Sequence, residues 1–62
     1  MKRYKDSTVA LVAVSATYDE SPSVAYMPVV QRKGNIWVGD AYHYPAQAIE
    51  EAHDHVDAAL GE

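Results

Sequence analysis

Cysteine is absent from this chain of 62 residues, and no apolar run approaches the roughly 18 residues that a membrane span needs. Without cysteine, the chain has neither a disulfide nor a thiolate metal site. The apolar stretch at residues 9–14 is short for a signal peptide, and no small-residue cleavage site follows it. These absences predict a single domain, residues 1–62, in the reducing environment of the cytoplasm.

Catalytic groups are also scarce. The sequence has no Gly-x-Ser-x-Gly motif, no glycine-rich phosphate loop and no dinucleotide-binding fingerprint. A chain this short buries only about 60% of its unfolded surface, which leaves little room for a ligand pocket of about 300 Å³. We therefore predict that the protein is not an enzyme and that it binds no cofactor.

The charges are unevenly divided along the chain. Residues 1–39 carry all five Lys and Arg residues against three acids, whereas residues 40–62 carry six acids and no Lys or Arg. An acidic segment repels nucleic acid and attracts a basic protein surface. The distribution predicts a protein partner with a basic surface and no direct contact with nucleic acid or a membrane.

Three segments have the composition of β-strands, at residues 8–18, 24–32 and 35–42. The first alternates little between apolar and polar residues, so we expect it to be partly buried on both faces. Pro28 donates no hydrogen bond to a sheet, which predicts a bulge or a frayed half-strand at that residue. Strict alternation in the third segment places Tyr42 on the same face as Ile36 and Val38.

A helix is predicted to begin at Pro45, because proline suits the first helical position, and to end at Gly61. The order of elements predicts an α+β fold in which one C-terminal amphipathic helix packs on a three-stranded antiparallel sheet. A thin core needs bulky residues, so we expect Trp37 to belong to it, with an interface role as the alternative. The apolar stripe of the helix consists of Ala48, Ile49, Ala52, Val56, Ala59 and Leu60.

The three histidines are the best candidates for metal ligands in the sequence. His53 and His55 are two residues apart on the predicted helix, so their side chains point about 200° apart. A separation of four residues joins Glu51 to His55 and His53 to Asp57, but each pair offers only two ligands. We expect no metal site, and we expect these histidines and His43 to be half-exposed and paired locally with acids.

The side of the helix opposite the apolar stripe carries acidic residues and no Lys or Arg. Glu50 and Asp54 have the i, i+4 spacing at which opposite charges would stabilise a helix by about 0.2–0.5 kcal/mol, so the like charges cost stability. The sequence Tyr42-His43-Tyr44 places aromatic side chains beside these acids, a combination typical of protein-binding surfaces. The predicted partner-binding residues are Glu50, Glu51, Asp54, Asp57, Asp40 and Tyr44.

In size, charge and fold type, the whole chain resembles the small acidic anti-CRISPR proteins of bacteriophages and mobile elements. The resemblance is carried by the acidic helix and by the absence of catalytic groups. It implies a cytoplasmic inhibitor in a host bacterium, a monomer or weak dimer that presents DNA-like negative charge. The implied partner is an RNA-guided interference complex, bound at the Lys and Arg surface that normally meets DNA.

Two other functions stay open. Gly39-Asp40 and the later Glu50-Glu51-Ala52 are similar to the Gly-Asp…Glu-Glu-Ala stretch of HicB-type antitoxin domains, which implies an antitoxin-like or dimerising module. A sheet-type DNA-binding domain is the third possibility, although such domains are usually strongly basic. The residues that would line its DNA-binding end are Lys2, Arg3, Lys5, Arg32 and Lys33.

Overall fold

The computed structural model describes residues 1–61 as an antiparallel sheet with one helix on one of its faces. Glu62, counted above among the acids, lies outside the described residues. The strands follow one another in the order β1-β2-β3-β4. This confirms the predicted α+β fold with a C-terminal helix and adds a short first strand. The elements are β1 (Lys2–Tyr4), β2 (Ser7–Tyr18), β3 (Ser21–Arg32), β4 (Asn35–Val38) and α1 (Pro45–Ala59).

Strands β2 and β3 form a long hairpin with a two-residue turn. Asp19 and Glu20 make this turn with φ angles of 51° and 64°, and positive φ at both central residues is what a type I′ turn requires. The turn is tighter than the gap of five residues, 19–23, between the first two predicted strands, because the last three of these residues already pair in β3.

Pro28 lies inside β3, directly opposite Leu11, and the predicted bulge is absent. Its carbonyl accepts a hydrogen bond from the Gly39 N–H at 3.0 Å, so its backbone polar groups face away from β2. In an antiparallel pair, alternate residues direct their backbone groups to the same neighbour. The missing N–H of Pro28 therefore costs no bond to β2, which explains why the strand continues through it.

The third predicted strand ends early, at Val38, and the chain rejoins the sheet through Tyr42. Tyr42 and Tyr26 each donate a backbone N–H to the other's carbonyl, at 2.9 and 2.6 Å. The preceding pair in the sheet is Val29 with Val38. From that pair to the pair of Tyr26 with Tyr42, the chain moves three residues along β3 but four residues along the segment from Val38 to Tyr42. The extra residue breaks the alternation of side chains between the two faces of the sheet. Tyr42 therefore faces α1, and the prediction that it shares a face with Ile36 and Val38 is wrong.

Small side chains allow α1 to lie close to the sheet. Ala48, Ala52 and Val56 are fully buried, whereas Ile49 and Leu60, predicted in the same stripe, are 38% and 36% exposed. The buried stripe is therefore narrower than the sequence predicts. The core cluster consists of Val9, Val30, Ala52 and Val56, with Tyr4 and Trp37 packed against it.

Both ends of α1 agree with the sequence. Tyr44, the residue before Pro45, is extended with φ −111° and ψ 126°, as expected before a proline. Gly61 has a φ of 80° and donates its N–H to the Ala58 carbonyl at 3.2 Å, the left-handed ending that glycine favours. This helix is neither long nor apolar enough to cross a membrane.

The helix covers only one face of the sheet. Its core partners Val9 and Val30 are paired across β2 and β3 and point to the same side. The residues at alternate positions therefore point away from α1, and they form what we call the open face. Ala10, Val14 and Ala16 of this face are half-buried, so β2 is partly buried on both faces as predicted, although α1 does not pack over the open face. Its apolar side chains are Ala10, Val12, Val14, Ala16, Ala25, Met27, Val29, Ile36 and Val38.

Candidate protein-binding surface

Two histidines attach α1 to the outer strands of the sheet. The His53 ring stacks on Tyr4 of β1 with centroids 3.8 Å apart and planes 9° apart, and His55 stacks on Trp37 of β4 at 4.0 Å and 7°. Their opposite directions on the helix bring one ring to each flank of the core. Both are partly buried as expected. Each stacks on an aromatic ring, and the charge of His53 also contributes to lowering the pKa of Asp57, one of the predicted acids.

His43 occupies a different position, at the tip of the β2–β3 hairpin. Its ring meets Tyr18 edge to face at 5.0 Å, and its Nδ1 atom is buried without a hydrogen-bond partner in the part of the chain that the structure describes. Among residues 1–61, no three His, Asp or Glu side chains are placed to bind one metal ion together. The histidines thus pack against rings of this chain.

Glu51 ties the segment after β4 to the helix. Its carboxylate accepts hydrogen bonds from the Tyr42 hydroxyl and, at 2.9 Å, from the Asp40 backbone N–H. The bond to Glu51, with added contributions from desolvation and the nearby negative charge, raises the pKa of Tyr42 to about 12. Glu51 was predicted to bind a partner, whereas the structure engages both of its oxygens within the chain.

Loss of the Tyr42 proton should weaken the fold at high pH. Because the folded-state pKa of Tyr42 lies above its ordinary value of 10.0, its contribution to stability is complete below about pH 10 and is lost as the pH rises toward 12. We expect the difference in unfolding free energy between wild type and Tyr42→Phe to shrink across that range. Urea titrations at several pH values measure it, and a constant difference would contradict this role of Glu51.

Asp57 makes an equivalent tie at the other end of α1. Its carboxylate accepts hydrogen bonds from the Tyr4 hydroxyl at 3.0 Å and from the Lys5 ammonium at 2.6 Å. The bond from Lys5 contributes most to lowering the pKa of Asp57, while desolvation and the bond to Asp57 raise the pKa of Tyr4. Asp57, also predicted to bind a partner, therefore joins the last turns of α1 to β1.

Glu50 and Asp54 are the helix acids that point outward. Both are exposed, and no hydrogen bond or ion pair engages either side chain among residues 1–61. They line a concavity of about 420 Å³ together with Tyr42, Gln47 and Glu51. Gln47, Glu50 and Asp54 follow one another at the i, i+3, i+7 spacing of one helix face, which is the signal that would have added Gln47 to the predicted site.

An aromatic groove adjoins this concavity. It has a volume of about 400 Å³, and Tyr42 and Gln47 line both depressions. Tyr44, which lines the groove as well, is 69% exposed. Asp40 is exposed but lines neither depression. We call the combined region the acidic-aromatic surface, and it consists of Tyr42, Tyr44, Gln47, Glu50 and Asp54.

The basic side chains, in contrast, are partly neutralised. Lys5 pairs with Asp57, and Arg32 pairs with Asp6 at 3.0 Å. A hydrogen bond from Ser7, followed by the bond and charge of Arg32, lowers the pKa of Asp6. The two most prominent surface features are therefore the acidic-aromatic surface and the open face. Comparison of the chain with protein-family models, curated proteins and solved structures finds no match.

Proposed function

We propose that the protein is a non-catalytic, protein-binding inhibitor that docks its acidic-aromatic surface on a basic surface of its partner. The observation that supports this most is the placement of Glu50 and Asp54, which face outward beside exposed aromatic rings and contact no cation among residues 1–61. A partner Arg could pair with these carboxylates and stack on the Tyr44 ring. Charge-assisted hydrogen bonds and cation–π contacts favour that combination.

The number of carboxylates that have no partner within the domain limits how large a basic surface the protein can bind. Duplex DNA carries one negative charge per about 1.7 Å of helix axis, whereas the only acids of α1 that lack a partner among residues 1–61 are Glu50 and Asp54. Two carboxylates replace a few phosphates and cannot imitate a long duplex. We therefore propose contact with a small basic site, such as part of the DNA-binding groove of an interference complex, as the resemblance to anti-CRISPR proteins implies.

Direct binding of nucleic acid is the weaker alternative. Of the five basic residues that would line such a site, Lys5 and Arg32 already form salt bridges with carboxylates. Using these residues to bind phosphate would release Asp57 and Asp6, adding negative charge beside the phosphate. The local charge balance therefore favours a protein partner.

Capture from a bacterial lysate tests the proposal. The double variant Glu50→Gln/Asp54→Asn removes two charges from the acidic-aromatic surface and breaks no side-chain hydrogen bond or ion pair among the described residues. It should lose at least about tenfold of the wild-type partner recovery, since a charge-assisted hydrogen bond contributes roughly 1.5–3 kcal/mol. Quantitative mass spectrometry of the bound proteins measures the loss, and added duplex DNA should compete for the same partner.

The matched control removes two charges elsewhere. Asp19→Asn/Glu20→Gln makes the same change of net charge in the β2–β3 turn, where both residues are exposed and where Asn tolerates a positive φ. This variant should capture the partner as the wild type does. Equal losses in the two double variants would mean that only net charge matters, and the proposed docking site would be wrong.

A further inference from the structure

We propose that the open face is the interface between two copies of this chain. The inference does not use the acidic-aromatic surface, although the aromatic groove borders the open face at Tyr18 and Ser23. It begins from the charges. The positions of β2, β3 and β4 that point away from α1 contain no Lys, Arg, Asp or Glu residue. Arg3 of β1, paired with Thr8, lies at the margin.

Most side chains of the open face are apolar, and several of them are accessible, whereas Ala25 is only 4% exposed. Val12 is 42% exposed, Val38 49% and Ile36 69%, and Met27 lies directly opposite Val12 in the hairpin. Soluble monomers rarely expose a contiguous apolar patch larger than a few hundred Å². A patch that extends over three strands is therefore expected to be covered by something.

The chemistry of the face favours a second copy over a charged partner. The chain has a formal net charge of −4, but the acids among residues 1–61 lie on α1, in turns and in the segment after β4. Two copies stacked through their open faces would bring no like charges together, and their acidic helices would lie on the outer sides. A nucleic acid or a charged protein segment finds no complementary group here.

The outline of the domain is comparable in size to a standard protein interface. The domain measures 40 Å by 20 Å along its two longer axes, and a face of that outline offers roughly 800 Å² at most. A standard protein interface buries about 800 Å² on each partner. Sheets that stack face to face interdigitate their side chains at a spacing of about 10 Å. The resulting dimer has four layers, with a helix on each outer side and two sheets between them.

The edge of β2 offers an alternative site at which a second copy could pair. Strand β1 pairs with β2 only from Ser7 to Val9, so residues 10–18 have no neighbouring strand on that side among residues 1–61. Pairing along this edge would add backbone hydrogen bonds but would leave the open face exposed to water. We therefore infer stacking of the faces, and the test distinguishes the two arrangements.

Sedimentation velocity of the full chain, from micromolar to millimolar concentration, measures the association. Met27→Lys places a charge in the middle of the open face, and Val38→Lys does so on β4, where the side chain is 49% exposed and the core is undisturbed. Ala58→Lys makes a matched change of charge on the exposed side of α1. Ala13→Pro removes an N–H that points out from the β2 edge, since Tyr26, opposite Ala13, bonds away from β2.

The expected result is a wild-type dimer whose dissociation constant rises at least about tenfold in both Lys variants of the open face. Ala58→Lys and Ala13→Pro should dimerise as the wild type does, and far-ultraviolet circular dichroism should show the same secondary structure throughout. If Met27→Lys fails to fold, the dissociation constant of the Val38→Lys dimer alone tests the proposal. A monomeric wild type, dimers that survive the open-face substitutions, or dimers lost only in Ala13→Pro would each overturn the proposal.

Discussion

Replacing Ala52 with leucine is expected to destabilise the domain by about 1–3 kcal/mol, because the extra methylene groups have no space between helix and sheet. Ala52 has no exposed surface and belongs to the core cluster with Val9, Val30 and Val56. A longer side chain would lift α1 from the sheet and separate the His53 and His55 rings from their partners. In a small domain of marginal stability, such a loss is a large fraction of the total.

The control for this experiment is the same substitution on the exposed side of the helix. Ala58→Leu keeps a strong helix former and meets no core residue, so its unfolding free energy should stay within about 0.5 kcal/mol of the wild type. Urea titrations followed by circular dichroism and Trp37 fluorescence measure both variants. Equal stability of Ala52→Leu and Ala58→Leu would show that the small residues of α1 do not set the distance between helix and sheet.

Gly39→Ala is expected to cost about 1–3 kcal/mol as well, through crowding rather than through backbone strain. A Cβ atom at this position would lie 2.7 Å from the Trp37 ring and 2.8 Å from the Pro28 ring, and it would collide with the Glu51 carboxylate. Glu51 can turn away, but only by leaving the Tyr42 hydroxyl and the Asp40 N–H. The two rings are packed at the core and have less freedom to move.

The absorbance of ionised tyrosine reports specifically on this collision. If Glu51 is displaced in Gly39→Ala, the pKa of Tyr42 should fall from about 12 back toward its ordinary value of 10.0. A double-mutant cycle with Glu51→Ala separates the carboxylate from the rings, since the rings still clash when the carboxylate is gone. A variant that keeps both the wild-type stability and the high pKa of Tyr42 would contradict the close approach at Gly39.

Elements that depend on local sequence were predictable. Pro45 and Gly61 mark the ends of α1 because proline fits the first helical turn and glycine fits a left-handed ending. The three predicted strands follow from their composition, although the third ends early, at Val38. Strand β1 was not predictable, because a segment of three residues, Lys2–Tyr4, is too short to show a strand pattern. It exists because Tyr4 pairs with Ser7 and packs against the distant residues His53 and Asp57.

Pro28 and Tyr42 show where alternation alone fails. Whether a proline is tolerated depends on the strand toward which its backbone nitrogen points, and that direction follows from the register of the whole hairpin. One extra residue between the Val38 and Tyr42 pairings reversed the face of Tyr42. Neither property can be read from the residue types of a single segment.

The acidic stripe was predicted as one surface, but the structure divides it. Glu51 and Asp57 point toward the flanks of α1 and bond to Tyr42 and Tyr4, whereas Glu50 and Asp54 face outward. Helical periodicity gives the direction of each side chain, but it does not show which tyrosines the sheet places within reach. The bonds of Glu51 and Asp57 account for two of the helix acids, and Glu50 and Asp54 are the two that contact no cation among residues 1–61.

The most direct test of the proposed function is the ratio of partner captured by Glu50→Gln/Asp54→Asn to that captured by Asp19→Asn/Glu20→Gln from the same lysate. Both variants have the same net charge, so the ratio depends only on where the charge is removed. We predict a ratio of about one tenth or less, with the control equal to wild type. A ratio near one would contradict docking through the acidic-aromatic surface.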